Sequence, residues 1–180
     1  MKKENNLVWI DLEMTGLDVN RSKIIEIAVV VTDSNLDIIS ELNPIVISYD
    51  SSVYNNMSDW CVKNHTKSGL IKKSKESKID LFLAEKKVLD FVQKYVVKNR
   101  SPLCGNSIWQ DRRFLVKYMP LLESYFHYRV LDVSSFKIAA SLWNPPLLNL
   151  LSKKKLHSAL IDIRESIEEM KLYKKKFFRN

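Results

Sequence analysis

The sequence predicts an α/β layer protein with a mixed central β-sheet flanked by helices. Three observations carry this. Short β-branched runs crowd the first fifty residues, helical periodicity takes over from Ser58, and single strand-like segments recur between the later helices. Leu7-Val-Trp-Ile-Asp11 and Ile24 to Thr32 have the Ile, Val and Trp content of central strands, and Leu36 to Ile47 supplies a third. Turn chemistry separates them at Thr15-Gly16-Leu17-Asp18 and at Asp33-Ser34-Asn35, so the chain opens on a three-strand meander. Ser58 is placed to cap a helix that Lys67-Ser68-Gly69 ends. A longer helix is expected over Ile79 to Val97, where Leu81, Leu83, Ala84, Val88, Leu89, Phe91, Val92 and Tyr95 fall mostly at three-to-four spacing. Leu103 to Asn106 reads as a buried strand entering a tight turn, followed by a helix from near Trp109 that Pro120 interrupts. A further strand lies around Tyr128 to Leu131, a helix over Val133 to Leu142 and a loop at Pro145-Pro146. The last helix, about residues 158–176, puts Leu160, Ile163, Ile167, Met170 and Tyr173 on one stripe. Its acids come early and its lysines late, as its dipole favours.

Composition narrows the class. At 180 residues with 46% hydrophobic content, the chain fits one domain over 1–180 with enough apolar material for a sizeable core. No internal repeat or low-complexity linker divides it, and 3 glycines argue against long flexible joints. No apolar run reaches the roughly 18 residues of a spanning helix, and MKKENN does not lead into a signal-peptide core, so no membrane association and a cytoplasmic location are expected. Cys61 and Cys104 are too few for a disulfide framework and lack metal-type spacing, so both read as reduced thiols. A net charge of +8 favours polyanionic partners.

The acids carry the chemistry. Asp11 and Glu13 stand two apart at the end of the first strand, so continued extension puts both carboxylates on one face. Like charges that close raise each other's pKa unless a cation intervenes, and hard divalent ions such as Mg²⁺ or Mn²⁺ prefer oxygen ligands. Asp111 stands early in a helix after Gly105-Asn106-Ser107, and His157 precedes Asp162 at the start of the last helix. Positions five apart in one helix point roughly 140° away from each other, so these two converge only if His157 precedes the helix proper, which Ser158 as N-cap permits. Four carboxylates and a loop histidine on segments entering one sheet edge suit two-metal phosphodiester hydrolysis, with the neutral imidazole as general base.

These residues resemble the three motifs of the DEDD exonuclease superfamily in its histidine-bearing branch. Trp9-Ile-Asp-Leu-Glu-Met-Thr-Gly-Leu17 is the first, Cys104-Gly-Asn-Ser-Ile-Trp-Gln-Asp-Arg-Arg-Phe114 the second and His157-Ser-Ala-Leu-Ile-Asp-Ile-Arg-Glu-Ser166 the third. Within that branch the chain resembles the oligoribonuclease family almost end to end, including Ile24-Ile-Glu-Ile-Ala28, Lys117-Tyr-Met-Pro120, Tyr125-Phe-His-Tyr-Arg129 and Leu131-Asp-Val-Ser134. The resemblance implies a ribonuclease-H-like exonuclease fold and a homodimeric 3′-to-5′ exoribonuclease that degrades very short single-stranded RNA, down to dinucleotides, to 5′-mononucleotides. By position, Asp11, Glu13, Asp111 and Asp162 would hold two divalent ions, Mg²⁺ or Mn²⁺, and His157 would be the base. Leu17 and Trp60 match residues that wedge and stack the two bases, and His65, Ser107 and Gln110 match positions near the substrate backbone. Tyr128, Arg129 and Ser134 match a cap over the substrate's 5′ end, with Tyr128 and Arg129 supplied across the dimer.

The residues alone leave blander readings of Trp60 as core and of Tyr128-Arg129 as an ordinary strand with its solvated neighbour. Two other functions compete with the short-RNA enzyme: an exonuclease of the same branch acting on longer strands, and a binding or scaffold protein whose acids are inert. Lys153-Lys-Lys-Leu156 before His157, and Ile161 beside Asp162, depart from the family pattern without removing a ligand. The three lysines should oppose imidazolium formation and favour the neutral base.

Overall fold

In the computed structural model, residues 3–150 and 158–178 are described. Strands β1 (Leu7–Met14), β2 (Ile24–Thr32) and β3 (Ile38–Val46) form the antiparallel meander, and β4 (Leu103–Gly105) and β5 (Val130–Asp132) add in parallel, giving the order β3-β2-β1-β4-β5. All nine residues of β2 are buried, as a strand covered on both faces requires. Alternation on β1 sends Val8, Ile10 and Leu12 to one layer and Trp9 to the other. The first layer holds α4 (Leu81–Val92), α5 (Ile108–Tyr118) and the short α6 (Pro120–Glu123). The second holds α7 (Val133–Trp143) and α8 (Ala159–Phe177), with Ile163, Ile167, Met170 and Tyr173 packed against Trp9, Ala28 and Val30. Trp9 is buried with its indole N–H donated to Thr32 Oγ1 at 3.0 Å, so its polar atom costs nothing in the core.

A third cluster positions the site. The β1–β2 register passes from Glu13↔Glu26 to Met14↔Ile24, leaving Ile25 as an extra residue in a bulge. Ile25 turns out of the alternation and packs fully buried with Tyr54, Met57, Cys61 and Leu70. It thereby anchors the helices α1 (Ser51–Asn55), α2 (Asp59–Lys67) and α3 (Leu70–Glu76) beside the end of β1. Ser58 caps α2 as expected, its Oγ accepting from Cys61 N–H at 3.3 Å.

Several boundaries differ from expectation, each for a local reason. The third strand begins at Ile38 and not Leu36, because Leu36 adopts φ 74° in a turn held by Asp33 Oδ1, which accepts from the N–H groups of Asn35 and Asp37. The helix expected over Ile79 to Val97 is α4, from Leu81 to Val92. Asp80 caps its start, and Tyr95 and Val96 are spent elsewhere, the Tyr95 carbonyl accepting from Lys3 N–H and Asn6 Nδ2 and Val96 bridging to Lys3. Helix α3 lies where only a stop is read, since Gly69 at φ 76° ends α2 and starts a new helix. The strand placed around Tyr128 starts at Val130, and Pro145–Leu150 forms a 3-10 turn where a loop is expected. Both cysteines are free and buried. Among the described residues no helix is long and apolar enough to cross a membrane.

Candidate active site

Three of the expected acids meet. Asp11 and Glu13 project from alternate positions of β1 onto the face that α8 covers, and Asp162 enters from the first turn of α8. One carboxylate oxygen from each lies within 4.8 Å of the other two. Asp111, in the first turn of α5, comes from the other layer, and its Oδ1 accepts the Leu12 N–H at 3.0 Å. That N–H has no strand partner because the β1–β4 pairing stops at Trp9↔Cys104.

A fifth acid, Glu26, was not legible as part of the site. It stands opposite Glu13 in the sheet register, 8% exposed, and its carboxylate accepts from the backbone N–H of Ala159. Ser158 is the N-cap residue of α8, as the sequence reading has it, but its side chain makes no capping bond, and Glu26 takes one N–H of that helix end, that of Ala159. The antiparallel pairing of Glu13 with the acid in Ile24-Ile-Glu-Ile-Ala28 was the signal available, and it needs the register to be known.

Burial is the main reason these acids hold protons tightly, and their neighbours add to it. Asp11 is raised well above the ordinary carboxyl range by burial, then by Asp111, Glu13, Asp162 and Glu26. Burial followed by Glu26, Asp162 and Asp111 pushes Glu13 up to about 8. Asp111 is raised by burial against the lowering effect of the Leu12 N–H. Glu26 is raised by burial against the opposing Lys73 charge and the Ala159 N–H.

A divalent cation resolves that crowding. Two oxygens on one ion are separated by at most twice a metal–oxygen bond, about 4.2 Å for bonds near 2.1 Å and about 5.2 Å for bonds near 2.6 Å, so the Asp11, Glu13 and Asp162 oxygens, within 4.8 Å of one another, stand close enough that a small closure would put all three on one ion. The donor set is hard and wholly anionic, as Mg²⁺ or Mn²⁺ prefers. A stability consequence follows from the raised carboxyls. The native state keeps protons that the unfolded chain releases, so ion-free stability is full below the unfolded value of 4.5 and falls as pH rises through about 8 for Glu13. Melting temperatures measured from pH 5 to 8 in chelator should decline, and added Mn²⁺ should flatten that decline. A flat ion-free profile would contradict the clustering.

Beside the carboxylates lies a cavity of about 530 Å³ lined by Glu13, Gly16, Leu17, Ser58, Trp60 and His65, with Cys61 in its wall. Trp60 is 59% exposed, which rules out the core reading, because Cys61 and His65 take the buried face of α2. His65 Nε2 donates to the Met14 carbonyl at 2.9 Å, and Nδ1 lies 3.9 Å from Glu13 Oε2. Leu17 is 69% exposed at the rim, on a loop pinned from α5: Gln110 Nε2 donates to the Leu17 carbonyl at 3.2 Å, Tyr118 Oη to those of Val19 and Ser22, and Lys117 Nζ to Asn20 Oδ1. Gly16 lets the loop pass close to Ser22, since a Cβ there would stand 2.7 Å from Ser22 Oγ and that hydroxyl would have to rotate away.

Ser107 and Ser134 meet, their hydroxyl oxygens 3.0 Å apart. Tyr128 and Arg129 do not line the cavity. Tyr128 is largely exposed, stacked on His127 with the Arg129 guanidinium over its ring, and its carbonyl accepts from Arg112 Nη1 at 2.6 Å. Arg112 follows Gln110 by two residues, roughly 200° around α5, so their own chain holds Tyr128 and Arg129 across the helix from the Leu17 loop. His157 and Lys153 to Lys155 lie outside the described residues.

This fold and acid cluster define an exonuclease domain: the RNase_T family model, described as Exonuclease, matches residues 8–170. Exonuclease I of Escherichia coli in complex with a dA16 oligonucleotide superposes with a TM-score of 0.75 at 14% identity over 96% of this chain, and the Methylocaldum szegediense exonuclease I with 0.73 at 15% over 95%. This chain spans only about two fifths of those longer chains (41% and 40%), so they establish the ribonuclease-H-like fold alone. The sequence goes further. Oligoribonucleases of Francisella tularensis (strain WY96-3418) and Actinobacillus pleuropneumoniae are both 52% identical, over 98% of this chain and 98% of the relative, and over 96% and 94%, respectively. The chain belongs to the oligoribonuclease family.

Proposed function

We propose that this chain is a 3′-to-5′ exoribonuclease that hydrolyses very short single-stranded RNA, dinucleotides above all, to 5′-mononucleotides. The carrying observation is the convergence of three carboxylate oxygens, from Asp11, Glu13 and Asp162, with Glu13 also lining a cavity that presents an exposed tryptophan and an exposed leucine. Asp11, Glu13, Asp111 and Asp162 would hold two divalent ions, Mg²⁺ or Mn²⁺. Such ions, when bound, supply Lewis acidity to the attacking water and the leaving oxygen. The remaining work belongs to side chains. Trp60 offers a flat face for a base, and Leu17, fixed by Gln110, separates it from the next. His65 ties α2 to the backbone at Met14 and so fixes the wall carrying Trp60. Ser107 stands at the substrate backbone and Ser134, its hydroxyl oxygen 3.0 Å from that of Ser107, at the 5′ end. His157, immediately before the N-cap of α8, takes the proton of the attacking water.

The 5′ cap needs a second copy of the chain. Tyr128 and Arg129 sit across α5 from their own cavity, while α7 exposes Ile138, Leu142 and Trp143, an apolar face suited to pairing with another copy. In that homodimer Arg129 would occupy the place of a next nucleotide and bind a terminal phosphate through paired hydrogen bonds. Length selection is then obstruction.

The test is mononucleotide release from a length series of 5′-phosphorylated RNAs with Mn²⁺ or chelator. The dinucleotide should be hydrolysed fastest, and chelator should stop the reaction. Equal or faster cleavage of a twenty-nucleotide RNA would favour a longer-strand exonuclease, and binding without release a scaffold with inert acids. Arg129→Ala should reduce the rate ratio of dinucleotide to longer RNA by about tenfold, the loss of a charge-assisted pair. An unchanged ratio would reject the cap.

A further inference from the structure

Between the two substrate-facing serines and the helix carrying Asp162 runs a chain of hydrogen bonds whose direction is fixed by chemistry. The Asp162 carbonyl can only accept, and Ser166 Oγ donates to it at 2.8 Å. With its proton committed, Ser166, buried on α8, must accept from Asn106 Nδ2 at 2.7 Å. That settles the amide orientation, so Asn106 Oδ1 faces Ser134 as an acceptor and takes its only hydroxyl proton at 3.2 Å. Ser134 Oγ is therefore left with lone pairs, which accept Ser107 N–H at 2.9 Å and the Ser107 hydroxyl at 3.0 Å. Ser107 itself sits at φ 51°, a left-handed backbone that a serine adopts only under constraint. Its N–H also donates to Asp132 Oδ1 at 2.9 Å.

We propose that Asn106 is a positioning residue that orients the Ser107–Ser134 pair, leaving the Ser107 hydroxyl as the donor available to a substrate phosphate oxygen. Ser134 is locked as an acceptor, so on substrate arrival the Ser107 proton rotates to the phosphate while Ser134 keeps the Ser107 N–H. Ser166 acts as the anchor that stops the Asn106 amide from flipping. No proton leaves the network and no bond is made or broken. The inference rests on the proposed placement of Ser107 near the substrate backbone and of Ser134 at its 5′ end, and it assigns the Ser107 hydroxyl, 3.0 Å from Ser134, to the 5′-terminal phosphate.

The test compares a dinucleotide bearing a 5′-phosphate with the same dinucleotide bearing a 5′-hydroxyl, in Mn²⁺, for the wild-type chain, Asn106→Ala, Ser166→Ala, Ser134→Ala and the Asn106→Ala/Ser134→Ala double variant. Asn106→Ala should raise KM for the phosphorylated dinucleotide about tenfold with kcat within about threefold, the scale of one lost buried hydrogen bond. The KM increase should shrink below about threefold on the 5′-hydroxyl substrate, and the double variant should be no worse than the poorer single variant, because Asn106 acts through Ser134. Ser166→Ala, a substitution a helix tolerates well, should reproduce the KM effect at about threefold, which keeps the test valid if Asn106→Ala melts early. Equal losses on both substrates, a kcat loss at constant KM, or multiplicative effects in the double variant would overturn the assignment to Asn106 alone. A wild-type chain that releases no mononucleotide, or ignores the 5′-phosphate, would overturn the functional reading along with it.

Discussion

Asp11→Asn should lower kcat for dinucleotide hydrolysis on the order of 10³-fold or more, since it removes one anionic charge from a divalent-ion site on which the reaction depends. Folding should survive and even gain. Asp11 is raised by burial and by four neighbouring carboxylates, so the neutral amide relieves like-charge repulsion in the ion-free protein. Its melting temperature in chelator at pH 8 should equal or exceed that of the wild type. The increment produced by Mn²⁺ should be smaller, because fewer anionic ligands remain. Asp162→Asn should behave in the same way, its oxygen belonging to the same convergent set. Turnover within about tenfold of wild type in either purified variant, outside the range expected for losing an essential ligand, would remove the carboxylates from the mechanism.

The second large effect is expected at Trp60. Base stacking is worth about 1–3 kcal/mol, so Trp60→Ala should lower kcat/KM for the dinucleotide by roughly 5- to 150-fold, mostly through KM. An indole that is 59% exposed contributes little to packing, so the melting temperature should barely move. A large drop in stability with unchanged KM would return Trp60 to a structural role. Trp60→Phe keeps a stacking face and should recover much of the loss.

Much of the site was readable because local rules decide it. Two-residue spacing at the end of an apolar strand puts Asp11 and Glu13 on one face whatever surrounds them. The stripe on α8 places Asp162 in its first turn by the same local logic. Strand β2 and helix α7 were legible for that reason to within a residue, and β1 was legible from its start but runs three residues past Asp11, to Met14. What escaped depends on contacts distant in sequence. Glu26 reads as one polar residue in an apolar run until the register sets it against Glu13. Trp60 at helical spacing could not be told from core until Cys61 and His65 were seen to take the buried face. Helix α3, with Lys72, Lys73 and Lys75 among its residues, has too little apolar periodicity to announce itself, and it is held by Leu70 and by Ser74, whose hydroxyl donates to the Ile47 carbonyl. The link through Asn106 joins residues up to 60 positions apart and leaves no periodic trace at all.

The seat of Asp11 and Glu13 in the sheet has one more implication. Strand β1 lies between β2 and β4, and Asp11 and Glu13 both fall within its continuous ladder with β2. Amide protons there should trade with deuterium only when the whole domain opens, at the slow rate set by global unfolding. Local breathing therefore cannot pull these two acids apart, and heat inactivation of the enzyme should coincide with collapse of the entire fold.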